Sequence, residues 1–306
     1  MQQQQFLGIE IGGTKLQIVC GHADGTVLSS HAFVVDKKQG AAGIRNAIET
    51  VLKQYAGNGI AAIGVGFGGP VNRLTGKIAT SFHIEGWSGF DIRQWLASVI
   101  KVPVFIENDA NVAALGEATI GIGKNYHNVL YITIGSGVGG GLIIDRQIYH
   151  GAIPGEIEIG HTQMDRNGTT LQDLCSGWAV DEKIRTLVAA HPLSVLAQLV
   201  GERKTGEAIF LLEALKANDP FAHEIIEQTT DDLAFGLSHA IHLLHPEVVI
   251  LGGGLSFLGG VLESRITKKL PGYLMKAFIP APAIKLSQLK EKAVPIGALV
   301  LCSQNM

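Results

Sequence analysis

The stretch Gly8-Ile9-Glu10-Ile11-Gly12-Gly13-Thr14-Lys15, GIEIGGTK, decides how the rest of the chain is read. It is one transposition away from a P-loop. The Walker A pattern G-x-x-x-x-G-K-[ST] ends with lysine before the hydroxyl residue, and here Thr14 precedes Lys15. A Walker loop also runs from a strand into a helix, whose N-terminus helps to hold phosphate. The residues after Thr14, LQIVCG at 16–21, alternate and include β-branched side chains, so the chain resumes as a strand. The stretch is therefore read as the tip of a β-hairpin. Such a tip presents the backbone N–H groups of Thr14 and Lys15 beside the Glu10 carboxylate, a combination able to hold phosphate oxygens and a hydrated Mg²⁺. One loop of this kind, taken alone, is better explained as an ordinary hairpin turn.

Two more glycine loops change that balance. NVLYITIGSGVGGGLIID, residues 128–145, again reads strand, glycine tip, strand, and YITIGSG set beside GIEIGGT is a faint internal repeat. Its GSGVGGG, residues 135–141, matches G-x-G-x-x-G, but a strand follows rather than a helix, so the dinucleotide fingerprint fails on context. EVVILGGGLS, residues 247–256, is a strand entering a third glycine loop. Three such loops in one chain point to a nucleotide site.

Between the loops the pattern is that of an α/β protein. A strand follows the Asp24-Gly25 turn, and 41–55 is helical with Ile44, Ile48, Val51, Leu52 and Tyr55 on one stripe. Residues 60–67 form a buried strand that exits through GFGGP, which contains Gly69. A short helix is expected over 89–100, a strand over 102–106 and a helix over 110–119. Helices dominate from 178 to 244, His245-Pro246 stops the last of them, and 295–303 forms a C-terminal helix. No Pro-, Ser- or charge-rich linker divides the chain. The boundary is placed near residue 118, giving domains 1–118 plus 292–306 and 119–291.

Two segments carry chemistry. In IENDANVAALGEA, Glu107, Asn108 and Asp109 stand at the carboxyl end of a strand where a helix begins, the place at which open α/β sheets bind ligands. Asp109 alone could be an N-cap, which does not explain three consecutive polar groups. In GAIPGEIEIGHTQM, Glu158 and His161 are three apart, so one turn can aim both at one ligand.

Composition excludes several classes. The 306 residues suffice for one large or two medium domains, with 46% hydrophobic and 17% charged residues and a formal net charge of −3. With no long basic run, nucleic acid and anionic membranes are poor partners. No apolar run suits a bilayer span, and MQQQQF is unlike a signal peptide. Cys20, Cys175 and Cys302 are widely spaced, which fits a reducing compartment, the cytoplasm, and no metal framework.

Taken in order, GIEIGGTK, ENDANVAALGEA, IGSGVGGGLI, GEIEIGH and LLHPEVVILGGGLS resemble the motifs of the ROK family over nearly the whole chain. That resemblance implies the actin-like, ribonuclease H-like sugar-kinase fold: a duplicated α/β architecture of two domains around a cleft. It implies ATP- and Mg²⁺-dependent phosphorylation of a hexose in carbohydrate metabolism, by a protein that forms a homodimer. Carried over by position, Asp109 is the general base, and Asn108, Glu158 and His161 hold sugar hydroxyls, with Gly69, His83 and Gln172 completing the substrate set. Glu10, Gly12, Gly13, Thr14 and Lys15, then Gly135, Ser136 and Gly137, then Gly253 and Gly254, line the nucleotide. The chain departs from the family pattern in four places. Glu10 replaces an Asp, His83 stands where many members carry a sugar-contacting Asn, and Gln172 takes the position of a sugar-contacting Glu. The C-x-C-G-x-x-G-C zinc segment expected after His161 is missing, since DRNGTTLQDLC offers Cys175 alone, so no structural zinc is expected. Repressors of the family carry an added helix-turn-helix. The first hairpin here starts within a few residues of Met1, so DNA binding is not expected.

Overall fold

The structure, a computed structural model, describes residues 3–81, 84–155 and 157–306. Its first sheet is built from β1 (Gln5–Ile11), β2 (Lys15–Gly21), β3 (Val27–Val34), β4 (Ile60–Phe67) and, after the small hairpin β5 (Val71–Asn72) and β6 (Lys77–Ile78), β7 (Val104–Asn108). The strand order is β3-β2-β1-β4-β7. β1 to β3 pair antiparallel, as tight hairpins require, whereas β4 and β7 pair parallel to β1 and β4. The parallel registers set Ile11 opposite Phe67 and Phe67 opposite Asn108. The carboxyl ends of the three parallel strands β1, β4 and β7 therefore finish along one edge.

The period-2 geometry of β1 decides which helices cover which face. Leu7, Ile9 and Ile11 pack in a core with Ile44, Ile48 and Leu52 of α1 (Gly40–Leu52) and with Ile92 and Leu96 of α2 (Ile92–Val99). Phe6, on the opposite face, clusters with Leu299 and Cys302 of the C-terminal helix. A sheet buried on both faces explains why β1 and β4 read as nearly continuous apolar runs, while edge strand β3 alternates half-buried with exposed side chains. α3 (Asp109–Thr119) leaves the end of β7 directly.

A second sheet follows from β8 (Asn128–Ile134), β9 (Val138–Ile144), β10 (Gln147–Ile148), β11 (Val248–Gly252) and β12 (Ala283–Leu286). Its order, β10-β9-β8-β11-β12, repeats the first sheet strand for strand. The antiparallel β9–β10 and parallel β11–β12 pairs match β2–β3 and β4–β7. The faint repeat in the glycine loops is thus one copy of a duplicated topology. Between β10 and β11 lie α4 (Leu171–Cys175), α5 (Gly177–Ala190), α6 (Val195–Val200), α7 (Leu211–Lys216) and α8 (Pro220–Leu244). α8 starts on Asp219, whose carboxylate accepts from Phe221 N at 2.9 Å and Ala222 N at 3.0 Å, with Pro220 at the first helical position. It ends where His245 turns left-handed at φ +43° before Pro246. α9 (Gly260–Lys269) precedes β12, and α10 (Ala293–Asn305) closes the chain. The chain folds into two compact units: the residues up to Tyr131 with Gly141–Ile157 and Gln288–Met306, and Ile132–Gly140 with Glu158–Ser287.

Candidate active site

In the first unit Gly12, Gly69, Asn108 and Asp109 gather at the carboxyl edge of the sheet. The hairpin tip is closed by Gly12 N donating to Lys15 O at 2.9 Å, and Gly68 N donates to Ile11 O at 2.8 Å beside it. A side chain at Gly68 would start 3.2 Å from Asp109 Oδ2 and 3.5 Å from Gly12 Cα, so the carboxylate and the hairpin tip flank this glycine. Asn108 Nδ2 donates to Gly69 O at 3.4 Å. Gly12, Gly69, Asn108 and Asp109 are thus brought together, and Gly68, which sequence reasoning passes over inside GFGGP, sits among them.

The N-cap of α3 is not the residue considered from sequence. Asn108 fills that role, its Oδ1 accepting from Ala110 N at 2.9 Å and Asn111 N at 3.3 Å. Asp109 is the first helical residue, with Oδ1 2.8 Å from Ala110 N, in the positive field of the helix start. Asn and Asp are equally good caps, so the sequence could not choose between neighbours.

Glu10 lies on β1, two strands from β7 in the sheet order. Its side chain is 13% exposed and forms an ion pair with Lys15 Nζ at 3.2 Å. Burial pushes the Glu10 carboxyl up to about 7, Lys15 pulls the other way, and Asp109 and Glu291 add repulsion. Lys15 is held further by donation to Glu291 O at 3.4 Å. With the Gln17 amide oriented to suit its neighbours, Gln17 Oε1 also accepts from Lys15 Nζ at 3.1 Å. Behind the site, Glu107 is buried and accepts from Asn111 Nδ2 at 3.0 Å, with His150 Nε2 at 3.2 Å from its other oxygen. Glu117 binds Ile122 N at 3.1 Å and Leu289 N at 2.8 Å. Glu107 therefore braces Asn111 one turn after Asp109, and Glu117 ties the far end of α3 to the backbone that follows it and to Leu289.

The second unit holds the other loops. At the β8–β9 tip, Gly135 N donates to Gly137 O at 2.9 Å and Gly135 O accepts from Gly177 N at 2.7 Å. Gln172 Oε1, from α4, accepts from Val138 N at 3.1 Å. Gly253, with φ +79°, lies so close to β8 that a Cβ would meet Ile134 N and O at 2.6 Å, which brings the Gly253–Gly254 loop against the Gly135–Gly137 tip. Glu158 and His161 are exposed on a 3-10 turn in which His161 N donates to Glu158 O at 3.0 Å. His83, and Glu156 of the GEIEIGH motif, lie outside the described residues.

The segment after His161, where the resemblance leads one to look for a zinc loop, is tied by its own polar groups. Asp165 accepts from Asn167 N at 2.7 Å, Thr169 N at 3.2 Å and Thr169 Oγ1 at 2.8 Å. These hydrogen bonds hold its carboxyl below the ordinary range. Thr170 and Asp173 form a reciprocal capping box at the start of α4, and Leu171 is fully buried. Cys175 is a buried free thiol. Among the described residues no three His, Cys, Asp or Glu side chains converge as a metal site. Elemental analysis of protein purified without a metal-affinity tag should show well under one zinc per chain, and a chelator should leave its circular dichroism unchanged. Stoichiometric zinc lost together with the fold would refute this.

Comparison with known proteins fits these features. The ROK family profile matches residues 6–305. A glucokinase of Thermotoga maritima is 28% identical over 100% of this chain and 99% of its own length. The crystal structure of a ROK family glucokinase from Streptomyces griseus, in complex with glucose and AMPPNP, superposes with a TM-score of 0.86 at 27% identity over 98% of this chain and 99% of that one. The xylose repressor of Caldicellulosiruptor bescii is 24% identical over 98% of this chain and 78% of its own. The relatives thus include sugar kinases and repressors, and the duplicated sheets are those of the actin-like kinase fold. This chain belongs to the ROK family.

Proposed function

We propose that the protein transfers the γ-phosphoryl group of ATP to a hydroxyl of a hexose, glucose being the first to test, with Asp109 as general base. The observation that carries this reading is the position of the Asp109 carboxylate. It stands at the end of an apolar strand and the start of α3, flanking Gly68 together with the Gly12 hairpin tip. Phosphoryl transfer asks for positioning and charge neutralisation more than for covalent chemistry. A carboxylate at a helix start, where the field favours negative charge, can orient the sugar hydroxyl and accept its proton, while the N–H groups of the glycine tips hold phosphate oxygens. Asn108, Glu158, His161, Gly69, His83 and Gln172 would position the sugar. Gly12, Gly13, Thr14, Lys15, Gly135, Ser136, Gly137, Gly253 and Gly254 would position the nucleotide.

The residues present fit Mg²⁺ bound in its usual way, through waters and substrate phosphates rather than a protein cage. Glu10 is buried, carries an elevated pKa and lies within repulsive range of Asp109, so an added positive charge there would relieve a cost the fold already bears. Mg²⁺ would neutralise phosphate charge. In the same reading, residues 1–118 with 292–306 and residues 119–291 are the functional domains, the protein is a cytoplasmic homodimer, and it takes no nucleic acid or membrane partner. Among the described residues no helix is long and apolar enough to cross a membrane.

A second reading, a sugar-binding sensor with little turnover, draws on the same buried Glu10, because its pairing with Lys15 leaves it less open than a solvent-facing acid. A panel of hexoses with Mg²⁺-ATP, read by ADP release alongside sugar binding, separates the two. Saturable sugar binding without ADP release would select the sensor.

The Glu10 substitution tests the metal-side assignment. Glu10→Gln should raise the KM for Mg²⁺-ATP, because a neutral amide is a poorer partner for the hydrated cation. Glu10→Asp should keep much of the activity, since the shorter acid is the residue common at this position in the motif. Tolerance of Gln together with intolerance of Asp would defeat the assignment.

A further inference from the structure

The Gln172 side chain does something that its place in the sequence does not suggest. Its Oε1 accepts from Val138 N at 3.1 Å, the first amide of β9 after the Gly135-Ser136-Gly137 tip. A Cβ on Gly137 would fall 2.4 Å from that same oxygen, so the glycine makes room for the amide head. The orientation is fixed by chemistry: a backbone N–H needs an acceptor, so the oxygen and not the nitrogen faces Val138. The other side of the tip is bound by Gly177 N donating to Gly135 O at 2.7 Å, at the start of α5, which Ser176 caps. Residues 172–177 therefore grip the loop at both shoulders.

Gln172 in turn is anchored. Leu171, beside it, is fully buried, and a Cβ at Gly236 of α8 would fall 2.7 Å from Leu171 Cδ1. The Thr170–Asp173 capping box fixes the start of α4. A rigid helical turn thus carries the amide to the loop, which is how an otherwise mobile glycine tip is held ready for a ligand before one arrives.

We propose that Gln172 is a positioning residue for the second glycine loop, setting the Gly135–Gly137 tip for the nucleotide phosphates rather than serving the sugar alone. This rests on the kinase reading above, in which that tip holds phosphate. Loss of the side chain strands Val138 N and frees the tip, so the effect falls on nucleotide affinity and on turnover together.

The test is ATP binding by calorimetry, with steady-state kinetics and thermal melts, on wild type, Gln172→Ala and Gln172→Glu. Gln172→Ala should weaken ATP binding by roughly tenfold and lower kcat, the scale of one lost hydrogen bond to an ordered loop, with the melting temperature little changed. Gln172→Glu keeps an acceptor for Val138 N and should restore ATP affinity to within about threefold of wild type. A rise in sugar KM with unchanged ATP affinity in Gln172→Ala would overturn the proposal and return the residue to the sugar. Failure of Gln172→Glu to rescue would overturn it as well, as would a lowered melting temperature with normal affinity per folded molecule. If wild-type protein itself binds no ATP, the kinase reading falls first and the loop assignment with it.

Discussion

Asp109→Asn should bind its sugar nearly as wild type does and turn over roughly 10²–10⁴ times more slowly. An amide has nearly the shape of the carboxylate and can still accept from Ala110 N, 2.8 Å away, so the start of α3 is preserved. What it cannot do is take a proton. The cap belongs to Asn108, whose Oδ1 holds two helix N–H groups, so removing the charge at Asp109 leaves the helix capped. The alternative account of Asp109, a purely structural acid, therefore makes a separate prediction: a lowered melting temperature with normal turnover per folded molecule. Sugar affinity by calorimetry, ADP release and a thermal melt on the same preparation distinguish the two. Activity near that of wild type would remove Asp109 from the chemistry. Asn108 spends its carbonyl on the helix and one N–H of its amide on Gly69 O at 3.4 Å, and an amide nitrogen carries a second N–H with which to meet a sugar hydroxyl.

The architecture is legible wherever the sequence carries a period. The Gly12–Thr14 and Gly135–Gly137 hairpins are bounded by apolar strand-forming runs, and the duplication follows from setting one beside the other; the sheets repeat it strand for strand. Helices with a clear stripe fall within a few residues of their expected bounds, Ile44, Ile48, Val51 and Leu52 lying buried on α1. The short elements β5, β6, β10, β12 and α4 escape such a reading, because two to five residues hold too few periods to show a pattern. Within the site, the residue types at the strand ends are visible but their partners are not. No local pattern announces that Gln172 reaches Val138, or that Glu117 ties Leu289, since these contacts exist only once distant segments have been folded together. Lys15 shows the same limit from the other side. Its sequence position suggests a phosphate contact, and its side chain is turned to Glu10 and Glu291 O.

In the sequence, abundant glycine reads as loops that turn tightly or approach ligands, and part of it serves a different purpose that predicts the second large effect. Gly297→Ala should lower the melting temperature by roughly 5–10 °C, the shift expected for about 3 kcal/mol in a domain of this size. Gly297 lies in the middle of α10, where alanine would ordinarily be favoured by about 1 kcal/mol. Packing reverses that sign. A Cβ on Gly297 would stand 1.9 Å from Val112 O of α3, and the neighbouring contacts are made the same way: Gly116 would meet Ala293 O at 2.7 Å, Gly64 would meet Ala298 O at 2.1 Å and Gly8 would meet Pro295 O at 2.3 Å. Every one of these obstacles is backbone, so no side-chain rotation relieves it. Either α10 lifts from β1, β4 and α3 or α3 shifts along its axis, and both open packing around Leu299 and Val112, which are fully buried. A shift of α3 also carries Asp109 with it, so turnover should fall in the protein that still folds, by more than the unfolded fraction accounts for. Gly260→Ala is the control, since no atom beyond its chain neighbours and its own helix backbone lies within 4 Å of the added methyl at the start of α9, and it should melt within about 2 °C of wild type. Should Gly297→Ala melt as the control does, with unchanged kcat, the close backbone approach of α10 to α3 would be wrong, and with it the account of why Gly8, Gly64, Gly116 and Gly297 are glycine.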